Sequence, residues 1–143
     1  MNREKSPEEI HGLEYDWLAC DANGFVGLFS TAGGGYAPRE FLLDTEAHDE
    51  ALDAILELPA STEARFAPKL LPNLQNTWQL VAERGLFAFD SDSHGGPYRQ
   101  VAAPVVPIQI EKLPEPVRKL VGSINLQRIR FDSHSVISVE LLI

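Results

Sequence analysis

YDWLACDANGFVGLFS, residues 15–30, sets two apolar runs on either side of Ala22, Asn23 and Gly24. An Asn-Gly pair between apolar runs is the strongest short-range hairpin signal, since both residues accept the positive φ of a type I′ turn. The stretch therefore predicts a β-hairpin with arms over 15–21 and 25–30. Tyr15, Trp17 and Ala19 alternate with Asp16 and Leu18, which predicts a buried aromatic face on the ribbon. Cys20 closes the apolar run WLAC and is the sole cysteine, so no internal disulfide can form. It reads as a small buried hydrophobe rather than a reactive thiol.

Downstream, residues 31–38 (TAGGGYAP) must be a loop. Backbone amides in such a loop can cradle phosphate, but this one lacks both the Lys and Ser/Thr of a P-loop and the G-x-G-x-x-G spacing. A plain strand-to-helix connection is the better reading, with Pro38 opening a short helix over 38–43. A longer helix follows over 45–57 (TEAHDEALDAILE), capped by Asp44 or Thr45 and ended by Pro59. Ala47, Ala51, Ile55 and Leu58, with Leu52, form its buried stripe. Residues 61–72 carry two prolines and read as a linker. Asn73 can cap a second helix over 74–84, closed by Gly85, with Leu74, Trp78 and Val81 turned inward.

The rest reads mostly as strand: 86–90 and 98–102 around a loop at 91–97, an edge strand at 105–110 containing Pro107, and a closing pair over 126–131 and 136–142. A third helix is predicted over 113–121. The fold class is α+β: one domain over residues 13–143, a mainly antiparallel sheet with about three helices packed on it. Residues 1–12 read as a flexible or loosely docked lead-in.

With 44% hydrophobic and 23% charged residues, the 143-residue chain has the composition of an ordinary globular protein. Net charge is −9, and it is unevenly placed: residues 1–64 hold 14 acids and 3 bases, residues 65–143 hold 7 acids and 9 bases. Nucleic-acid binding needs clustered Lys and Arg and is not expected. Residues 1–10 lack the apolar core of a signal peptide, and no run approaches the roughly 18 apolar residues of a membrane span. The expected location is the cytoplasm.

Between Arg39 and Arg65 there is no Lys or Arg, while Glu46, Asp49, Glu50, Asp53 and Glu57 lie along the 45–57 helix. Their three- and four-residue steps make like-charged neighbours, which oppose folding by about 1–2.5 kcal/mol in total before salt screening. The helix dipole offsets part of this for Glu46 and Asp49 only. Such a face is solvated, is neutralised from within by Arg65, Lys69 or Arg84, or meets a basic partner.

Residues 90–96 (DSDSHGG) place Asp90, Asp92 and His94 on one loop, a combination able to ligate a metal or exchange protons. Counted as an EF-hand from Asp90, Gly95 fits the sixth position, but Val101 stands where the twelfth needs Glu. A turn built from Asp, Ser and Gly is the simpler reading, with the loop a second place for partner contact. His11, His48, His94 and His134 show no ligand spacing, and no nucleophile–base motif appears.

YDWLACDANGFVGLFSTAGGG (15–35) with Pro38, then RGLFAFD (84–90), PYRQVAAP (97–104) and LPEP (113–116), together resemble small acidic bacterial proteins tied to polymorphic toxin systems. The resemblance spans roughly residues 15–116 and implies an immunity-like role, binding and blocking a cognate toxin. An acidic surface suits a cationic toxin on independent grounds, since complementary charge speeds association. The expectation is a non-enzymatic protein-binding domain without cofactor, contacting its partner through Glu46, Asp49, Glu50, Asp53, Glu57, Asp90 and Asp92. Its rivals are a small enzyme or metal protein centred on Asp90, Asp92 and His94, and a domain that self-associates through an edge such as 105–110.

Overall fold

The structure, a computed structural model, describes residues 3–66 and 77–143. Strands β1 (Asp16–Asp21) and β2 (Val26–Ser30) form the predicted hairpin, with Trp17 opposite Phe29 and Cys20 opposite Val26. Its turn differs from expectation. Gly24 alone is left-handed (φ +78°), and Asn23 keeps a negative φ. Gly24 N–H donates to the Asp21 carbonyl at 3.1 Å, while Asp21 N–H donates to the Phe25 carbonyl at 3.0 Å. This is a three-residue loop with glycine at its left-handed position, not a two-residue type I′ turn. The Asp21 side chain favours the wider loop by accepting from the Asn23 and Phe25 amides, each at 2.9 Å.

Five further strands join the hairpin among the described residues: β3 (Ala64–Phe66), β4 (Phe87–Asp90), β5 (Tyr98–Pro104), β6 (Asn125–Leu126) and β7 (Val136–Ile137). The order is β3-β5-β4-β2-β1-β6, with β7 also on β5. The sheet is mixed: four of its six strand pairings among the described residues are antiparallel, as expected, but β2 pairs with β4 and β1 with β6 in parallel. The chain leaves β2 through a long crossover that carries helices and returns at the starting end, so the 16–30 and 87–104 hairpins join by parallel strands.

Six α-helices are present among the described residues rather than about three. Three are single turns: α1 (Pro7–Ile10), α2 (Arg39–Leu42) and α6 (Val139–Leu142). The longer ones are α3 (Thr45–Leu56), α4 (Thr77–Ala82) and α5 (Glu115–Gly122). Asp44 caps α3 as expected, its carboxylate accepting from the Ala47 amide. The predicted cap at Asn73 and the inward Leu74 lie outside the described residues, as does Lys69.

Both faces of the sheet are buried, so successive residues from Trp17 to Cys20 are all interior. On one face Leu18, Cys20, Leu28 and Ala88 pack against Ala51 and Ile55 of α3, Val81 of α4, and Val117 and Val121 of α5. The other face is aromatic. Trp17 stacks on Phe29 with ring centroids 4.2 Å apart, and Phe29 stacks on Phe89 at 4.9 Å. Ile10, Phe41, Leu42, Ile129 and Phe131 cover this face.

Two strand expectations fail at the C-terminal end. Segment 105–110 has no ladder beyond a single bridge of Gln109 to Phe25, and Ile110–Lys112 is a 3-10 turn. Pro107 has no N–H to give, and the Ile108 and Ile110 amides donate to the carbonyls of Gly85 and Gly24 instead. Segments 126–131 and 136–142 do not pair with each other. Leu126 joins β1, Ile137 joins β5, and residues after Ser138 are helical. The Asp21 carboxylate draws the chain across the sheet by accepting from Phe131 N–H at 2.7 Å, which seats the Phe131 ring against Phe29, Phe87 and Phe89.

The lead-in packs onto the domain from Arg3. Ser6 and Glu9 form a capping box at α1, and Lys5 N–H donates to the Leu42 carbonyl at 2.9 Å. Ile10 is buried.

Candidate functional site

Register brings three polar residues into one row at the end of the sheet. Asp16 of β1 lies opposite Ser30 of β2, which lies beside Asp90 of β4. With Glu14, Ala32, and Thr77 and Trp78 of α4, they line a cleft of about 330 Å³. The Ser30 hydroxyl donates to Asp16 Oδ1 at 2.6 Å and accepts from Trp78 Nε1 at 3.0 Å. Burial raises the Asp16 carboxyl, the Ser30 hydrogen bond opposes this, and Glu14 adds to the rise. Asp90 is pushed up to about 6, chiefly by burial, against the Ser91 amide and with the help of Glu14, Asp16 and Asp92. A carboxyl in that range exchanges protons near neutral pH and, once ionised, seeks a cation.

The 91–97 loop does not bring Asp90, Asp92 and His94 together, as the rival metal or catalytic reading would require. Asp90 faces the cleft, whereas the Asp92 carboxylate accepts from the amides of His94 (2.8 Å) and Gly96 (3.0 Å). The Gly96 and His94 amides hold Asp92 below the usual carboxylate range. Asp92 is thus a turn-capping residue, and His94 is exposed.

The glycine loop packs against the same segment. A side chain at Gly34 would collide with the Ser93 carbonyl, and one at Gly35 would come within 2.7 Å of Tyr98 Oη. The amides of Gly34 and Gly35 both donate to the Thr31 carbonyl. Close approach therefore accounts for these glycines, and two amides a phosphate would need are already engaged.

The four acids of α3 (Glu46, Asp49, Glu50 and Asp53) and Glu57 at its C-cap are exposed. Asp49 is raised by burial first and then by Asp16, Asp53, Glu46 and Glu50, so helix and cleft share one negative field. Internal neutralisation does occur, but from an unforeseen residue. The Arg3 guanidinium lies 2.6 Å from Asp44, 2.8 Å from Glu46 and 3.4 Å from Glu50. Arg84 instead donates to the carbonyls of Leu58 and Leu80. Between α3 and α5, Ala47, Glu50, Ala51, Ala54, Pro116, Val117 and Leu120 line a mainly apolar groove of about 270 Å³.

His48 turns inward, its Nδ1 accepting the Leu18 amide at 3.1 Å, and His134 Nδ1 accepts from the Arg130 amide at 3.0 Å. Among the described residues no three His, Cys, Asp or Glu side chains converge on a point where they could hold a metal ion. No helix among them is long and apolar enough to cross a membrane.

The sequence reading found Asp90 and the α3 acids but missed Asp16, Ser30 and Arg3. A two-residue turn at Asn23-Gly24 would set Asp16 opposite Thr31, so the Asp16–Ser30 pair follows only from the three-residue loop that the Asp21 side chain favours. Its extension to Asp90 depends on the parallel β2–β4 pairing, for which no local signal exists. No family model, curated protein or solved structure matches the chain.

Proposed function

We propose that the chain is a non-enzymatic, cytoplasmic protein-binding domain, an immunity-like inhibitor that neutralises a cognate cationic toxin through an acidic surface. The observation that carries this reading is the continuity of charge from α3 into the cleft: Glu46, Glu50, Asp53 and Asp16 all act on Asp49, and Asp16 acts in turn on Asp90. Carboxylates crowded this way repel one another, and burial first, with that repulsion second, raises Asp49 and Asp90. A cationic partner relieves the repulsion, so binding energy and the unfavourable surface have one explanation. Asp49 and Asp16 link the helix to the cleft, and in this reading Glu57 and Asp92 extend the contact surface.

The test is a native pull-down from the source cell's lysate at low and moderate salt, comparing wild type with a Glu50→Lys, Asp53→Lys, Glu57→Lys variant. One basic protein captured by wild type, weakened by salt and lost by the variant is the expected result. Retained folding by circular dichroism together with unchanged capture would sink the assignment to α3.

The cleft favours a second reading, proton-transfer chemistry at Asp90 beside Asp16 and Ser30. Asp90 at about 6 is the observation behind it. Turnover of a substrate by wild type but not by Asp90→Asn would establish it.

A further inference from the structure

We infer that the outer face of α3 docks a partner segment pairing an arginine with a large apolar side chain, and that Arg3 holds the arginine's place in the free chain. This rests on the reading of the protein as a binder of a cationic partner and says where and how the partner is held. Three carboxylates, Asp44, Glu46 and Glu50, already surround one guanidinium at 2.6, 2.8 and 3.4 Å. A planar fork with five donors can serve all three at once, which a lysine ammonium does less well. The Arg3 side chain is still 40% exposed, and exposed ion pairs are weak, so an arriving guanidinium can displace it.

The apolar part of the segment has its own place. Ala47, Ala51 and Ala54 leave the flank of α3 open toward Pro116, Val117 and Leu120 of α5. Glu50 lines this groove and is also the third carboxylate reached by Arg3. The guanidinium position and the groove therefore share a wall, and one short segment can fill both. Exposed Arg118 and Lys119 lie on α5, which confines the partner's positive charge to the α3 side.

Lys5 is anchored to Leu42 and α1 is capped by Ser6, so the arm delivers Arg3 to α3 as a tethered competitor. Removing a competitor strengthens an external ligand in proportion to how often the competitor occupied the site. For an exposed ion pair the gain is about two- to sixfold.

The experiment titrates wild-type and Arg3→Ala chains with an acetylated, amidated arginyl-leucine dipeptide, followed by backbone amide NMR shifts. Shifts clustered at Glu46, Glu50, Ala51, Val117 and Leu120, with about two- to sixfold tighter apparent binding by Arg3→Ala, are expected. Glu50→Gln should weaken binding in both backgrounds. Unchanged or weaker binding by Arg3→Ala overturns the inference, as do shifts confined to Asp16 and Asp90 or no shifts in either chain. A protein partner captured by wild type while the dipeptide ignores α3 would remove this site and leave the binding role standing. Dipeptide binding without any captured partner would do the reverse.

Discussion

His48 Nδ1 accepts the backbone N–H of Leu18 at 3.1 Å, joining α3 to β1 above the point where β6 stops covering that strand's edge. The acceptor nitrogen must be unprotonated, and Nε2, which then carries the proton, is buried with no partner.

Burial lowers His48 to about 4 against the opposing pull of Asp44. A histidine whose folded pKa lies below its unfolded value stabilises the fold above the unfolded value, and that stability is lost as pH falls from about 6.5 toward 4. The loss attributable to His48 is about 3 kcal/mol across that window. Denaturant melts of wild type and His48→Gln at pH 7.5, 5.5 and 4.5 would measure it. Glutamine keeps an acceptor without titrating, so the variant should lose less stability on acidification. Parallel pH profiles for the two proteins would refute this role.

Asp90 acts in the opposite sense over an overlapping range. Its folded pKa of about 6 exceeds the ordinary carboxylate value, so ionisation at higher pH works against the fold. Discounted for the group's partial exposure, Asp90→Asn should add about 0.5–1 kcal/mol at pH 7.5 and close to nothing at pH 4. Side-chain carbon NMR would follow the Asp90 carboxyl directly, and titration near 4 would contradict the cleft environment.

Tyr98 Oη donates to the Tyr36 carbonyl at 2.7 Å and accepts from Trp17 Nε1 at 3.1 Å. Its ring is buried and meets Trp17 edge-on. Tyr98→Phe keeps the ring but leaves a donor and an acceptor without their bonds, at a cost of about 1–3 kcal/mol. Thermal unfolding measures this loss; a change in melting temperature within error would show that water replaces both bonds.

Asp21 is 2% exposed and binds the amides of Asn23, Phe25 and Phe131. Asp21→Ala should cost at least about 2 kcal/mol, because buried amides lose their acceptor. Hydrogen exchange should speed up at Phe131 as well as in the 22–25 turn. Faster exchange in the turn alone would separate the hairpin from the C-terminal cover.

Much of the local structure was legible. The 15–30 hairpin, the 91–97 loop between two strands and the capped helix at 45–56 each depend on residues within a turn or two of one another. Even so, local rules gave the wrong turn type at Asn23, because the Asp21 side chain outbid the usual preference of an Asn-Gly pair. The acidic face of α3 is legible as a helical stripe, but nothing in the sequence marks Arg3 as the residue that meets it. Arg3 lies 41 residues from Asp44, beyond any local pattern.

By itself, then, the sequence determined the α+β class, the main hairpin, the acidic helix and its cap, all set by short-range periodicity, turn chemistry and charge. Only the tertiary structure decided the parallel joins of β2 to β4 and β1 to β6, the row of Asp16, Ser30 and Asp90, and the seat of Arg3. Those features follow from covering both faces of one sheet. Seating the Phe131 ring drew 126–131 out of its expected strand, and the helical crossover after β2 made its pairing parallel. Which distant segments meet is chosen by the area they bury together, a quantity no stretch of sequence carries alone.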